Sequence, residues 1–223
     1  MIPPGQKSRL DFPRFGLPAY AKRFPSNTDQ RTIVVAVNGV DHGTIDVDSS
    51  GLERINVQSD FHCVTTWSYL GANWAGVRFA DFYQKCVIPL LPRGISIAGA
   101  VLSAQDGYRT TLMLEDLLSS GVMLVDSLDG QPLSIEHGAP LRLVAPQHYG
   151  YKNSKHLKRI EFFTEMPVIK RGVSAFLDHP RARVAKEERG RWVPGWILRY
   201  VYRFFISRTE RNFRSAMQKN ILG

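Results

Sequence analysis

A β-branched, apolar run at 32–37 and a second strand-like run at 40–47, where Asp41 and His42 alternate with apolar neighbours, are separated only by Asn38-Gly39. That dipeptide constrains the chain more than any other local feature. Asn and Gly accept the positive φ angles of a type I′ turn at little cost, so the two runs are predicted to fold back as antiparallel neighbours. Further strand-like runs follow at 54–57, 61–67, 95–102, 122–125, 141–145 and 159–164, with turns expected at Asp106-Gly107 and Asp129-Gly130. Residues 74–77, Trp-Ala-Gly-Val, read as a small aromatic-glycine turn. Residues 79–87 have helical spacing ending ahead of Pro89, and 114–118 read as a short helix opened by Glu115 and Asp116. Many short strands interrupted by short helices predict an α+β body with mixed or antiparallel sheets, not a doubly wound one.

The formal charge of +9 resides in the last quarter of the 223 residues. Residues 1–169 hold 16 basic and 16 acidic side chains, whereas 170–223 hold 13 and 4. This division predicts a near-neutral body at 1–169, opened by an extended Pro-, Gly- and base-rich leading segment at 1–31, and a basic C-terminal extension at 170–223. Within the extension, 171–190 reads as a charged loop and 196–217 as one amphipathic helix. Arg199, Arg203, Ser207, Glu210 and Arg214 share one helical face, with Trp196, Leu198, Val201, Tyr202, Phe205, Ile206, Phe213 and Met217 mostly opposite. Two arginines inside the apolar run argue against a membrane-spanning helix. No zinc-finger, helix-turn-helix or RNP-like pattern accompanies the charge, so specific nucleic-acid recognition is not expected. Residues 1–7 carry no apolar stretch behind their charge and no twin-arginine pair, which makes the cytoplasm the expected compartment.

Few residues carry distinctive chemistry. Cys63 and Cys86 are too few for a disulfide framework and read as free thiols. Cys63 lies in Phe61-His62-Cys63-Val64-Thr65-Thr66-Trp67, where strand alternation would put His62 on the opposite face and disfavours a joint chelate. A lone cysteine in such a run is either inert packing or the single thiolate hold on a metal. His137-Gly138-Ala139-Pro140-Leu141-Arg142 places a glycine turn ahead of a strand bearing Arg142. Next comes 146–155, Pro-Gln-His-Tyr-Gly-Tyr-Lys-Asn-Ser-Lys, with Lys152 and Lys155 close to a glycine. Backbone N–H groups and ammonium groups can converge there on one anion, as a phosphate grip requires. The alternative is a surface loop with solvated lysines. Tyr108, just after the turn at 106–107, is by itself either packed or catalytic. No Cys-x-x-Cys, His-Glu-x-x-His, Gly-x-Ser-x-Gly or Walker pattern occurs.

Taken together, residues 61–68, Trp74-Ala75-Gly76-Val77-Arg78, Asp106-Gly107-Tyr108, His137-Gly138-x-Pro140-Leu141-Arg142 and Tyr149-Gly150-x-Lys152-x-x-Lys155 resemble the molybdopterin-binding domain of sulfite oxidases. The catalytic subunit of bacterial periplasmic methionine-sulfoxide reductase shares that domain. The resemblance runs in consistent order from about Asp11 to Thr164. It implies a sulfite-oxidase-type fold, a molybdenum–molybdopterin cofactor and two-electron oxygen-atom transfer on a small sulfur or nitrogen oxo compound. By the same resemblance, Cys63 is the thiolate ligand of the metal and Tyr108 the tyrosine beside it. His137 and Arg142 hold the pterin and its phosphate, and Lys152, Asn153, Ser154 and Lys155 form the loop at the phosphate end. Pro13 and Arg14 fall where related proteins touch the pterin.

One departure bears on the substrate. Sulfite oxidases place an arginine shortly after the metal-binding cysteine, but here Val-Thr-Thr-Trp-Ser follows Cys63, with Arg78 or Arg109 as candidate substitutes. A sulfoxide or other S- or N-oxide reductase is therefore the second expectation. A non-catalytic scaffold or a basic nucleic-acid-binding protein are the rivals outside this chemistry. Electrons would come from a separate haem protein or other carrier. The helix at 196–217 either packs onto the body with solvated arginines or docks an acidic redox protein or an anionic membrane surface.

Overall fold

The computed structural model describes residues 2–168 and 178–222. In chain order the regular elements are β1 (Lys7–Arg9), β2 (Thr32–Val37), β3 (Val40–Asp46), β4 (Arg54–His62), β5 (Trp67–Arg78), α1 (Phe79–Phe82), β6 (Gly99–Ala104) and β7 (Arg109–Met113). They continue as α2 (Leu114–Leu117), β8 (Met123–Leu128), β9 (Gln131–Pro132), β10 (Arg142–Val144), β11 (Leu157–Phe163) and α3 (Gly195–Leu222). One sheet runs β3-β2-β11-β6-β7. The other runs β1-β5-β8-β10, with β4 also paired to β5 and β9 to β8. Both are mixed: β11 is parallel to β2 and antiparallel to β6, and β1 is parallel to β5.

The Asn38-Gly39 hairpin forms as the sequence dictates. Asn38 and Gly39 take φ 45° and 91°, and Val37 pairs with Val40 across the turn. Strand alternation then assigns each residue to a side. Val77, Leu124 and Leu143 of the second sheet join Ile33, Val35, Leu102, Leu112, Ile160 and Phe162 of the first in the main core. The intervening Trp74, Met123, Val125 and Val144 face the other way, into a second core that Phe12 reaches from the leading segment. Phe12 is the hub of that contact. Its ring centroid lies 4.7 Å from Phe61, 5.1 Å from Tyr69 and 4.9 Å from His137. The leading segment is sealed to the body by aromatic burial, and it is not extended throughout: Pro18–Tyr20 form a 3-10 turn.

Several local expectations are corrected. Residues 54–57 and 61–62 belong to one strand, β4, with a bulge between Ser59 and Phe61. Residues 74–77 are not a turn but the interior of β5. Gly76 is required there because the Leu124 carbonyl of β8 comes so close that a Cβ would overlap it. The run 95–102 becomes a strand only from Gly99, since a turn closed by Ile95 N–H on the Pro92 carbonyl precedes it and 96–98 have no regular structure. Residues 79–87 are helical but change from α to π character at Tyr83.

The helix expected at 196–217 is α3, but its faces divide differently. Leu198, Tyr202, Thr209, Phe213 and Ala216 are buried on the body, whereas Trp196, Val201 and Phe205 face outward. The helix carries more apolar groups than one contact face can absorb. Of the expected polar face, Glu210 turns inward far enough to pair with Arg9. The charged loop expected over 171–190 falls partly on 169–177, outside the described residues, as does the expected boundary at 169/170. From Asp178 onward the chain is tied down: Tyr149 N–H donates to the Ala182 carbonyl at 2.9 Å and Val184 N–H to the Gln147 carbonyl at 2.9 Å. Arg181 pairs with both Glu115 and Asp116 of α2.

Gly76→Ala should lower the unfolding free energy by about 3 kcal/mol, because it forces backbone apart inside a paired strand. Gly51→Ala, in open space at φ 66°, should cost only about 1 kcal/mol of left-handed strain. Urea unfolding of both variants checks the order; equal losses would contradict the close approach of β5 and β8.

Candidate active site

Cys63 is not in the middle of a strand. It ends β4 and begins the tight connection to β5, with its N–H donating to the Trp67 carbonyl at 2.8 Å and Thr66 N–H returning to the Cys63 carbonyl at 3.2 Å. Thr66 adopts φ 78°, an uncommon conformation for a β-branched residue. Such strain persists only where surrounding contacts over-determine it. Those contacts are visible. Arg189, fully buried, donates to the Val64 carbonyl at 2.6 Å and the Pro4 carbonyl at 3.2 Å, and its guanidinium stacks 4.9 Å from the Tyr149 ring centroid. Gln6 Nε2 donates to the Cys63 carbonyl at 3.0 Å. His62 Nδ1 and Ser68 Oγ, 2.8 Å apart, close the hairpin behind the cysteine. The thiol lies 3.0 Å from Thr65 Oγ1. Burial pushes the Cys63 thiol above its ordinary range, partly opposed by that hydroxyl and by Arg189 and Lys155.

Cys63 opens on a pocket whose wall includes Phe12, Phe15, Phe61, Trp67 and Phe213. Of the residues expected at the site, the pocket brings together Cys63, Tyr108, Pro13, Arg14, Asn153 and Lys155. His137, Arg142, Lys152 and Ser154 are buried or half-buried behind that wall and do not line it. Arg142 is fully buried, 5.5 Å and 5.1 Å from the Phe61 and Trp74 ring centroids, and donates to the His137 carbonyl at 2.8 Å. Lys152 Nζ donates to the Thr111 carbonyl at 2.9 Å and lies 3.5 Å from Asp178, which makes it a strut between β7 and the extension. Arg14 donates to the Ala21 and Arg23 carbonyls at 2.7 and 2.8 Å, holding the leading segment in shape. Tyr108 Oη donates to the Tyr151 carbonyl at 2.6 Å. Asn153 accepts from Ala145 N–H at 2.7 Å, fixing the loop that carries Lys155.

The loop glycines matter for what they admit. A Cβ on Gly150 would overlap the Phe61 ring, and Gly138, at φ 111°, lies against Lys155 and Arg142. The result is a concentration of cations in a low-dielectric setting. Burial, then Arg142 and Arg14, pull Lys155 down to about 7, while burial brings Arg142 to about 9. His137 and His156 are pulled to about 4 by burial and the same cations, so both are neutral near pH 7. Several buried polar atoms here have no partner among the described residues: Arg142 Nε and Nη2, Ser154 Oγ, His137 Nδ1 and Trp67 Nε1. Each such group costs roughly 1–3 kcal/mol, and mutually repelling cations add to that. An anionic, hydrogen-bonding group relieves both costs. The residues present therefore fit a pterin phosphate next to a thiolate-ligated metal.

Sequence reasoning missed the contribution of the extension. Arg189, Tyr202 and Phe213 lie on the far side of a long sequence gap from Cys63, and only the charge of one and the helical spacing of the others were legible. Tyr202 lines the pocket, and its phenol is raised well above its usual range by burial and by Cys63.

Lys155 gives protein freed of cofactor a pH signature. The unfolded lysine keeps its proton to about 10.5 and the folded one releases it near 7, so the unfolded chain binds more protons between those values and stability rises with pH. Lys155→Met removes the buried charge. Its thermal midpoint should exceed that of the wild type most at pH 7 and below, with the gap closing toward about pH 10. A gap independent of pH would contradict the burial of this ammonium.

The oxidoreductase molybdopterin binding domain family matches residues 24–168. An uncharacterized oxidoreductase of Bacillus subtilis, YuiH, is 34% identical over 168 residues, covering 74% of this chain and 80% of that protein. The protein-methionine-sulfoxide reductase catalytic subunit MsrP of Ralstonia nicotianae is 31% identical over 153 residues, covering 57% of this chain and 45% of its own length. The sulfane dehydrogenase SoxCD from Paracoccus pantotrophus superposes with a TM-score of 0.48 at 16% identity, over 60% of this chain and 38% of that one. With a family match across most of the body and a pocket chemically suited to the cofactor, this chain belongs to the molybdopterin-binding oxidoreductases of the sulfite oxidase family and is a molybdenum–molybdopterin-dependent enzyme.

Proposed function

We propose that this enzyme performs two-electron oxygen-atom transfer on a small, neutral sulfur or nitrogen oxo compound, with Cys63 as the protein's ligand to molybdenum. The observation that carries this reading is the placement of the Cys63 thiol at a pocket shared with Lys155 and Asn153. Bound molybdopterin supplies a metal that cycles by two electrons, and a soft thiolate suits such a metal. The metal itself would favour the deprotonated sulfur that burial disfavours in its absence. Lys155 and Asn153, which line the pocket, would meet the pterin and its phosphate directly, while Arg142, His137 and Ser154 back that wall with unpartnered polar atoms and, in Arg142, positive charge. Pro13 and Arg14 shape the leading-segment wall, and Lys152 steadies the loop from behind. Tyr108 lines the same space with its hydroxyl held on the Tyr151 carbonyl.

The wall favours a neutral oxo compound over sulfite. Arg14 is the one arginine among the described lining residues, and its guanidinium is committed to two carbonyls. Arg78, at the end of β5, and Arg109, on β7, are exposed and do not line the pocket. Aromatic side chains dominate the rest, as an alkyl or aryl sulfoxide would require. Reductase chemistry is therefore the favoured direction, with electrons delivered by a separate carrier. The word "catalytic subunit" in the name of the Ralstonia relative is consistent with such a division of labour.

Cys63→Ser should keep the fold and lose turnover to background, a loss of at least about 10³-fold, with weaker retention of molybdenum. Undiminished turnover would remove Cys63 from the metal. Tyr108→Phe should slow turnover roughly tenfold at unchanged molybdenum content; an emptied site would make the tyrosine structural instead. For the substrate, reduced holo-protein should be reoxidised by dialkyl sulfoxides or N-oxides, and oxidised protein should not be reduced by sulfite. The reverse pattern would overturn the assignment.

A further inference from the structure

The outward face of α3 carries an apolar stripe that the body leaves uncovered. Trp196 and Ile197, Tyr200 and Val201, and Phe204 and Phe205 recur at four-residue spacing, which aligns them along one side of a helix. Phe204 is 90% exposed, Trp196 and Tyr200 57% each, and Phe205 53%. The packed residues Leu198, Tyr202, Thr209 and Phe213 occupy the side turned to the body, where Tyr202 and Phe213 line the pocket. The stripe and the pocket thus lie on the two sides of the same helix, and covering one does not close the other.

Charge decides what can cover it. On the helical wheel Arg208 and Arg211 continue the stripe toward the C-terminus, and Arg203 and Arg214 flank it; all four are exposed. The acidic groups of the extension are turned to cations within the fold: Glu187 to Arg189 and Arg199, Glu188 to Arg183, Glu210 to Arg9 and Asp178 to Lys152. The surface left over is apolar and positive. A second copy meeting it by two-fold symmetry would bring arginine against arginine. No helix among the described residues is long and apolar enough to cross a membrane. Trp, Tyr and Phe between arginines whose stems can reach past them are instead suited to a lipid–water boundary.

The geometry points to an anionic bilayer surface as the occupant: α3 lies along it, aromatic stripe in the headgroup boundary and arginines on lipid phosphates, with the pocket side of the helix held by the body. This inference stands apart from the oxygen-transfer reading and can fail without it.

The test is flotation of the full chain with vesicles of phosphatidylcholine, with and without roughly 30% phosphatidylglycerol. Binding should require the anionic lipid and weaken with salt. Trp67 and Trp74 are buried, so a blue shift of tryptophan emission on binding reports on Trp192 and Trp196. Combined Trp196→Ser, Phe204→Ser and Phe205→Ser should reduce partitioning at least about tenfold, and Arg208→Gln with Arg211→Gln should remove most of the preference for anionic lipid. All five positions are exposed, and circular dichroism confirms that the variants fold. Failure of the wild type to float, equal binding to neutral vesicles, or binding indifferent to these changes would overturn the inference. So would a dimer, or a complex with an acidic protein, that the serine changes abolish while vesicle binding is absent.

Discussion

The architecture of the site depends on one short hairpin connection. Cys63 is held at the end of β4 by the bond from its N–H to the Trp67 carbonyl, and the next residue is gripped by a buried arginine from more than a hundred positions away. Thr66 is held at a positive φ within that connection. A four-residue link under such constraint fixes the direction of the Cys63 Cα–Cβ bond, and Thr65 Oγ1 lies 3.0 Å from the thiol. The leading segment, through Phe12 and Gln6, and the extension, through Arg189, both converge on it. The two ends of the chain therefore serve as walls and braces of a site whose centre lies in the body.

The second determinant is electrostatic. Arg142 is fully buried and Lys155 half-buried at the pocket wall, with Arg14 close by, and Arg142 and its neighbours carry polar atoms without a partner among the described residues. Nothing in a hydrophobic core would retain such a group of cations, since burial of charge without a counter-charge is among the costliest features a fold can carry. A bound anion converts that cost into affinity. The glycines at 138 and 150 permit the close approach of these cations and of Phe61, which is why the loop reads as glycine-rich near its lysines.

Much of this was legible in the sequence because it is local. Asn38-Gly39 set a hairpin, β-branched runs marked most strands, and the ordered segments around Cys63, Tyr108, His137 and Lys155 identified the family and its cofactor. What escaped was set by contacts distant in sequence. The end of β4 at His62 could not be read from a run that stays β-branched through Thr66, because the reversal is imposed by partners rather than by turn residues. The same holds for Trp74-Ala75-Gly76-Val77, whose glycine answers to a neighbouring strand and not to a bend. Likewise, the apolar residues of α3 fit one amphipathic face on paper, yet the body takes up only part of them. Arg189 looked like one more charge in a basic tail until its carbonyl partners were known.

The most direct test of the central claim is X-ray absorption at the molybdenum edge of natively loaded protein, compared between wild type and Cys63→Ser. If the hairpin thiolate is bound to the metal, the wild-type spectrum requires one more sulfur neighbour than the variant. An identical sulfur count in the two would contradict the account, because it would leave the thiol of this strained connection with no part in holding the metal.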